Sequence, residues 1–543
     1  MQQTKKKGMS FGLSAFIVGL GLIITKASGL LRDIIVSDRF GIDPATADIY
    51  RDAFTLSFTI PDLFYNLLVG GAIFSTVAPY MSGAISVGEE KRGIKTVSIF
   101  VSVISVVMAI ACAIGTVFSK PIYSLYALRS AGDNSIDEQT LNLAANASKL
   151  LFPQIFFIML AALCIGIMNS YKRFTATSFG PTIYNICVLL SLVFFAGSSP
   201  EKLYMTTGGI LVSAIIYFLF QYFMGFDKLR QFKFNFRPND REFRKLFWRA
   251  LPILFSSSIV QVNVVILNYF AGKFDSGSIY GFRNASTIWQ IPYGIFTVAI
   301  STVMTPELAG LYESKKYKEA SSLLSRSLKT SMYIMIPASL FIWLESLDVV
   351  KAIYQWTSSY TNTNAETASV FLKGFVTAII TASVIHIINH AFYAIGKTRV
   401  PFWSSFVGMI MNPLFCWTFT RLGMGPLSLS AAYSLTNFLQ MVFLIVIYCR
   451  NKELAPTKMI SMLIRSVACA VVAFVIVFIL DILLPAQGGK IVQLGIIACK
   501  GAACLIVYFG MGLALKMDEA MFWINKLSSK FKRRAQKKAE EIE

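Results

Sequence analysis

Long apolar stretches alternate with short polar segments along the whole chain. Each apolar stretch is roughly 20 residues or longer, which is the length that an α-helix needs to cross the hydrocarbon core of a bilayer. Backbone groups in lipid must hydrogen-bond within their own segment, so stretches of this kind favour helices. The pattern predicts fourteen transmembrane helices, at about 10–38, 47–84, 95–118, 141–170, 176–196, 204–225, 250–272, 280–311, 326–346, 367–395, 400–420, 427–449, 459–483 and 491–515.

Two short segments recur 227 residues later in the chain. Residues 178–185 (SFGPTIYN) return as 405–412 (SFVGMIMN), and residues 72–79 (AIFSTVAP) return as 299–306 (AISTVMTP). All four copies lie in apolar stretches, so the repeat indicates a duplicated bundle of six helices. Because six is an even number, the two halves would have the same orientation in the membrane, as in several transporter folds.

The predicted fold is therefore an all-α polytopic membrane protein with two parallel six-helix repeats and an additional C-terminal helix pair. Its predicted divisions are an N-terminal half at 1–225, a basic cytoplasmic linker at 226–249, a C-terminal half at 250–449, helices 13 and 14 at 450–515, and a basic cytoplasmic tail at 516–543.

Composition and charge support a membrane protein rather than a nucleic-acid-binding one. Of the 543 residues, 55% are hydrophobic, and the net charge is +21. Most of the 50 Lys and Arg residues lie in the N-terminus, the tail and alternate loops between the predicted helices. Basic residues concentrate in this way on the cytoplasmic side of membrane proteins. We therefore predict that both termini are cytoplasmic, that membrane lipids contact the basic segments, and that no nucleic acid binds.

Charged residues are unexpected inside the first two apolar stretches, since each costs about 2.5–3.5 kcal/mol near mid-bilayer. These residues are Lys26, Arg32, Asp33, Asp52 and Asp62. Arginine does not readily lose its proton, so Arg32 is expected to face a cavity or a partner. We predict that all five residues contribute to a substrate-binding site. The alternative is that Arg32 with Asp33, and Arg51 with Asp52, form ion pairs at helix ends.

Polar residues in the second half extend the predicted site. Arg283 and Gln290 lie in the eighth apolar stretch and are predicted to bind substrate, although Arg283 could also reach the outer surface. Asn268 in the seventh stretch and Asn412 in the eleventh are predicted to be gating or ion-linked residues. Hydrogen bonding between helices is the alternative for these amides.

The two histidines of the chain, His386 and His390, are four residues apart in the tenth stretch and would share a helix face. No third metal ligand accompanies them in the sequence, so no metal site is predicted. They could gate the transporter or sense protons, or they could be satisfied packing residues. Lys500, inside the fourteenth stretch, could reach the surface or pair with Asp481.

Motifs for catalysis and nucleotide binding are missing from the sequence. It contains no GxSxG, HExxH or Walker A pattern, so we predict that the chain is not an enzyme, uses no cofactor and does not hydrolyse ATP itself. The eight cysteines form no CxxC pair and lie in or beside apolar stretches, which is typical of buried thiols rather than disulfides or zinc ligands.

An ordered set of residues in the first two stretches carries a family signature. The set comprises Lys26, Arg32-Asp33, Asp52-Ala53-Phe54, Pro61-Asp62-Leu63 and Gly71-Ala72. The eighth stretch (IPYGIFTVAISTVMTPELA) and the loop FYAIGKTRVP at 392–401 add to it. Together these residues resemble the MurJ/MviN lipid II flippase family of the MOP (multidrug/oligosaccharidyl-lipid/polysaccharide) exporter superfamily.

This resemblance implies a flippase in the bacterial plasma membrane. Its substrate would be lipid II, the undecaprenyl-pyrophosphate-linked peptidoglycan precursor, carried from the cytoplasmic to the outer leaflet by alternating access. The resemblance places Lys26 and Arg32 in a central cavity where they would meet the pyrophosphate, and a coupling cation or the membrane potential would supply energy. The alternatives are an exporter of another polyprenyl-linked oligosaccharide, of capsule or O-antigen type, and a cation-coupled multidrug antiporter.

Overall fold

The computed structural model describes residues 24, 27–40, 46–68, 77–128, 137–171, 173–356, 360–450, 459–485 and 488–521. Lys26, one of the predicted binding residues, lies outside this part of the chain. The described residues form two compact units.

The first unit comprises residues 1–284, 354–367 and 412–417. Ten of its helices, in chain order, are α1 (described over 27–39), α2 (Ala47–Leu68), α3 (Ala78–Ser86), α4 (Glu90–Val117), α5 (Ser119–Leu128), α6 (Glu138–Ser170), α7 (Phe174–Phe195), α8 (Pro200–Met224), α9 (Phe226–Leu229) and α10 (Arg241–Ala271). Within this unit α6 packs against α2, α4 and α8, and α10 packs against α2.

The second unit comprises residues 285–353, 368–411 and 418–543. The remaining helices lie wholly or partly in it: α11 (Ser278–Pro292), a π-helix (Tyr293–Thr297), α12 (Val298–Glu313), α13 (Tyr317–Leu344), α14 (Ser346–Tyr354), α15 (Asn362–Gly374), α16 (Val376–Ala394), α17 (Arg399–Arg421), α18 (Leu427–Arg450), α19 (Met459–Leu483) and α20 (Lys490–Ala514). Within the unit α16 packs against α13 and α18, and α19 packs against α13 and α20.

The predicted all-α polytopic fold is confirmed. Every predicted span from the second onward coincides with one helix or with consecutive helices of the described residues. Nine helical segments in the described part of the chain are long and apolar enough to cross a membrane, and shorter apolar segments of α7 and α10 lie at Phe179–Phe195 and Gln261–Ala271. The count of fourteen spans therefore stays a prediction.

Side-chain caps set where several helices begin. Asp137 accepts a hydrogen bond from the Thr140 amide at the start of α6, and Asp240 accepts bonds from the amides of Glu242 and Phe243 at the start of α10. These carboxylates pair the amides of the first turn, which have no partner within the helix. The apolar faces then decide which surface of each helix is buried.

Charged side chains join the segment after α8 to the neighbouring loops of the first unit. The two guanidinium Nη atoms of Arg173 lie 2.6 and 2.7 Å from the Asp227 carboxylate oxygens. The hydrogen bond from Arg173 holds the pKa of Asp227 below its usual value. Glu90 accepts a hydrogen bond from Tyr171 Oη at 2.7 Å and forms an ion pair with Lys228. Exposed pairs of this kind stabilise little individually, so their main effect is to orient the segment.

Aromatic packing holds the C-terminal helix pair in the second unit. The rings of Tyr333 in α13 and Tyr508 in α20 lie 4.7 Å apart between centroids, and both residues are fully buried. Gly512 faces Tyr333 so closely that a Cβ at this position would overlap the phenol oxygen. The absence of a side chain at Gly512 is therefore what allows α20 to approach α13.

Candidate functional site

Two arginines share one buried carboxylate in the first unit. Asp33 Oδ1 lies 3.1 Å from Arg32 Nε, 3.0 Å from Arg32 Nη2 and 3.5 Å from Arg283 Nη2. The Asp33 side chain is 4% exposed, whereas those of Arg32 and Arg283 are 27% and 24% exposed. The carboxylate offsets the repulsion between the two guanidinium groups and holds them side by side. The arrangement can present two fixed, partly accessible cations to an anionic ligand.

A tight turn positions the helix that carries Arg283. Asp52 accepts hydrogen bonds from the backbone amides of Gly277 at 2.9 Å and Tyr280 at 2.8 Å, so both of its carboxylate oxygens are used. Gly277 has a φ of +87°, a conformation that favours glycine. Tyr280 Oη donates to the Asp33 carbonyl oxygen at 2.7 Å. Asp52 would thus act on the predicted site by positioning Arg283.

Removing the Asp52 carboxylate is expected to destabilise the start of α11. In Asp52→Ala, two buried amides lose their acceptor, at a cost of about 1–3 kcal/mol for each unsatisfied group. We expect the thermal unfolding temperature of the detergent-solubilised protein to fall. Asp275→Ala, which removes an exposed carboxylate from the same loop, serves as the matched control. Equal unfolding temperatures in the two variants would contradict the positioning role.

Asp62 and Asn268 lie among further polar contacts of the first unit. Asp62 interacts electrostatically with both Arg283 and Arg32. Asn268 is buried and its Nδ2 donates to Thr59 Oγ1 at 3.0 Å. This contact joins α10 to α2, which is the hydrogen bonding between helices that the sequence left open for Asn268. Asp62 therefore adds a negative charge in the neighbourhood of Arg32 and Arg283.

A second ionic group near the start of α2 is structural. Arg51 is 1% exposed, and its Nη2 and Nε lie 2.6 and 3.1 Å from the Ser37 carbonyl oxygen. Its Nη1 forms an ion pair with Asp48 at 3.3 Å, and Asp48 also accepts hydrogen bonds from Asn364. These bonds satisfy a buried guanidinium with protein oxygens. These contacts explain how Arg51 can be buried, so its position requires no bound ligand.

The two histidines form a hydrogen-bonded group in the second unit. His386 Nδ1 lies 2.8 Å from Tyr293 Oη, and its Nε2 lies 2.9 Å from Ser301 Oγ. His390 Nδ1 lies 3.3 Å from Thr305 Oγ1, and the two imidazole centroids are 4.4 Å apart. Both ring nitrogens of His386 therefore have partners, and the choice of tautomer is coupled to the orientation of two hydroxyl groups.

The two remaining predicted residues differ in exposure. Gln290, in the second unit, is exposed. Asn412, in the first unit, is fully buried, and its Nδ2 makes no hydrogen bond, while its Oδ1 lies 3.8 Å from Cys416 Sγ. The structure thus brings Arg32, Asp33, Asp62 and Arg283 together in one unit and His386 and His390 together in the other.

Several residues with hydroxyl groups, which the sequence did not predict, form hydrogen bonds to the predicted site residues. Tyr280 contacts the backbone of Asp33, and Tyr293 and Ser301 enclose His386. Tyrosine and serine are common in apolar helices, so residue type gave no signal. Two positions in the sequence could have indicated these residues: Tyr280 lies three residues before Arg283, and Tyr293 directly follows Pro292.

Comparison with known proteins identifies the family. A family model described as lipid II flippase MurJ matches residues 45–497. A probable lipid II flippase MurJ of Buchnera aphidicola subsp. Acyrthosiphon pisum is 26% identical over 426 residues, which cover 78% of this chain and 81% of that protein. The lipid II flippase MurJ of Burkholderia cenocepacia is 23% identical over 422 residues, which cover 75% of this chain and 78% of that protein.

Solved structures show the same fold. One described as lipid II flippase MurJ in an inward closed conformation aligns with a TM-score of 0.74 at 19% identity and covers 92% of this chain and 99% of its own. A multidrug resistance MATE family transporter of the MOP superfamily aligns with a TM-score of 0.64 at 18% identity, covering 81% of this chain and 98% of its own. The family model matches residues 45–497, which is more than half of this chain, and the chain therefore belongs to the lipid II flippase MurJ family.

Proposed function

We propose that this protein is a flippase that carries lipid II from the cytoplasmic to the outer leaflet of a bacterial plasma membrane. The observation that carries the proposal is the ionic cluster of Arg32, Asp33 and Arg283, held within apolar helices of a chain of this family. Charges at this depth are costly and are retained where a transported substrate needs them.

The pyrophosphate of the lipid would bind at this cluster. Guanidinium groups match phosphate oxygens through paired, charge-assisted hydrogen bonds. Asp33 supports this role because it keeps Arg32 and Arg283 adjacent before the ligand arrives. Lys26, six residues before Arg32 on the predicted first helix, would add a third cation. Asp62 would balance part of this charge when no ligand is bound.

Transport would proceed by alternating access between the two predicted halves, 1–225 and 250–449. The 227-residue repeat supports this division, since parallel repeats that rock against each other around one site are common in transporters. The C-terminal helix pair, α19 and α20, would provide an apolar wall for the polyprenyl tail. An ion gradient or the membrane potential would drive the movement, with the termini and the basic linker on the cytoplasmic side.

His386 and His390 would act in gating or ion coupling, together with Asn268 and Asn412. Supporting this role, His386 links the π-helix to α12 through Tyr293 and Ser301. Short π-helices are rare and are frequent at functional sites. A change in the tautomer or charge of His386 would alter both hydrogen bonds at once.

The decisive experiment follows lipid II itself. We expect the purified protein, reconstituted into vesicles, to move fluorescent lipid II between leaflets, as measured by a quencher that cannot cross the membrane. Protein-free vesicles give the background rate. Movement of a polyprenyl-linked capsule or O-antigen unit, with lipid II stationary, would replace the proposal by the oligosaccharide-exporter alternative. Export of cationic dyes alone would favour the antiporter.

A further inference from the structure

The basic linker of the first unit carries an exposed surface to which the proposed transport gives no role. Aromatic and basic side chains are interleaved there, between α9 and the start of α10. They are Lys233, Phe234, Phe236, Arg241, Arg244 and Trp248, which we call the linker face. All six are exposed, Phe234 by 75% and Trp248 by 63%. Clustered apolar groups with a polar rim mark surfaces that contact a protein or a membrane.

Two contacts with α4 fix the position of the linker face. The backbone amide of Asn235 donates to Ser102 Oγ at 2.8 Å. Phe243, in the first turn of α10, is buried, and its ring centroid lies 6.2 Å from that of Phe100 in α4. The linker face is therefore held against a helix of the bundle, both in the extended segment before α10 and at the start of α10 itself.

The contact with Ser102 also sets the depth of the linker face. Lys95 is the last charged residue of α4, and Ser102 lies seven residues beyond it. Seven residues correspond to about 10 Å along a helix axis. Asn235, and with it the phenylalanine on either side, is therefore level with the apolar part of α4 rather than with its charged end. The two exposed rings lie where lipid head groups meet acyl chains, which is the usual depth of interfacial aromatic residues.

The acidic side chains of the linker have partners within the protein, whereas the basic side chains of the linker face do not. Asp227 pairs with Arg173, and Asp240 accepts hydrogen bonds from the first turn of α10. Glu242 pairs with Lys245. Among the residues that the structure describes, the three basic side chains of the linker face form no ion pair and no side-chain hydrogen bond. Their positive charge is thus available to an anionic partner outside the chain.

We propose that the linker face binds the head groups of anionic phospholipids in the adjoining leaflet. The ammonium group of Lys233 and the guanidinium groups of Arg241 and Arg244 would contact lipid phosphates, while the aromatic rings enter the top of the acyl-chain region. Basic side chains and interfacial rings together are what binds a segment to an anionic membrane surface. A zwitterionic head group carries an ammonium group that the three cations repel, so the surface would prefer a net negative head group.

Continuity with a lipid-facing helix favours a membrane over a soluble partner. α8 is long and apolar enough to cross a membrane, and its end exposes Phe223 and Met224. Phe226, which begins the linker, is exposed as well. Exposed apolar side chains therefore continue from the membrane span into the linker. The general prediction that lipids contact the basic segments is narrowed to one surface that selects head-group charge, and this binding requires no lipid II.

The experiment uses the full-length protein in phosphatidylcholine vesicles with a trace of phosphatidylglycerol or phosphatidylcholine that carries a dansyl group on its acyl chain. Trp248, in the linker face, is the donor for energy transfer to the dansyl group. We expect stronger transfer to labelled phosphatidylglycerol, which unlabelled phosphatidylglycerol displaces at a mole fraction about tenfold lower than phosphatidylethanolamine does. Trp248→Phe keeps a ring but removes the donor, so it should abolish the difference between the two labelled lipids.

Removing charge tests whether the basic side chains set this preference. The combined variant Lys233→Gln, Arg241→Gln and Arg244→Gln should lower the preference for phosphatidylglycerol by about tenfold or more, because each basic residue near an anionic surface contributes about fivefold. The matched control replaces three exposed lysines of another loop by glutamine, namely Lys315, Lys316 and Lys318, and should keep the preference. Equal transfer to the two labelled lipids in the unmodified protein, or equal losses in the two combined variants, would overturn the proposal.

A further variant tests the depth of the linker face without changing any charge. In Phe234→Trp, the additional tryptophan emission should be quenched by lipids brominated near the top of the acyl chain and protected from aqueous iodide. Lys318→Trp, at an exposed position of a loop, should show the reverse. If iodide quenched the additional emission of Phe234→Trp as strongly as that of Lys318→Trp, the ring would lie in water and the proposal would fail.

Discussion

Replacing both Arg32 and Arg283 by glutamine is expected to abolish lipid II movement while the protein remains folded in the membrane. Each guanidinium would contribute charge-assisted hydrogen bonds to the pyrophosphate, at about 1.5–3 kcal/mol for a bond to a charged group. Since 1.4 kcal/mol corresponds to a factor of ten, each single variant should slow transport by about tenfold or more and the double variant by about a hundredfold or more.

The electrostatics of the cluster separate a transport defect from a folding defect. Both arginines contact Asp33, so the double variant removes two guanidinium groups from beside a buried carboxylate. Adding Asp33→Asn removes the stranded charge, and this triple variant should regain thermal stability without regaining transport. Arg237→Gln, at an exposed site in the linker, is the matched control for loss of a basic side chain. Wild-type rates in the double variant would refute the assignment of the anion site.

Replacing Lys500 by methionine is expected to produce the largest loss of stability in the second unit. Lys500 is the shared partner of Glu345 and Asp481 and is almost fully buried. Removing one member of a buried ion pair typically costs about 3–5 kcal/mol, because the remaining charge is left uncompensated. The free energy of unfolding, measured by denaturant titration in detergent micelles with EDTA present, should fall by about this amount.

Two companion variants test the cause of that loss. Lys490→Met makes the same substitution at the start of the same helix, where Nζ donates to Gln493 Oε1 and to the Lys351 carbonyl oxygen, and should cost much less. Combining Lys500→Met with Glu345→Gln removes the stranded charge and should recover part of the stability. Similar losses at Lys500 and Lys490, or no recovery in the combined variant, would show that the ion pair is not what holds these helices.

The sequence predicted the helices well because their cause is local. Each predicted span from 47–84 onward coincides with described helices, and α19 has the predicted bounds of 459–483. Helices such as α5 and α14 were not predicted, since they are short and less apolar than a membrane span requires. The family was also recognisable, because the residues that carry its signature are grouped in the first two apolar stretches.

The sequence predicted the members of the ionic cluster better than their roles. Arg32, Asp33, Asp62 and Arg283 were candidates because charge is costly in lipid. Asp52 was a candidate for the same reason, and the structure places its carboxylate on two backbone amides. For Lys500 the sequence suggested Asp481 as a partner, and the structure adds Glu345, which is 155 residues away. No periodic pattern encodes a pairing over that distance.

The chain by itself determined its helices and its family, because apolar length and short motifs act within one segment at a time. Its loop charges predict a membrane topology in the same local way. Only the tertiary structure decided which charges meet: Asp33 with Arg283 across 250 residues, and Lys500 with Glu345. Helix packing turns a sparse set of polar side chains toward one another, and the direction in which each faces depends on every neighbouring helix. The physical reason is that a charge buried in an apolar bundle is stable only beside a partner.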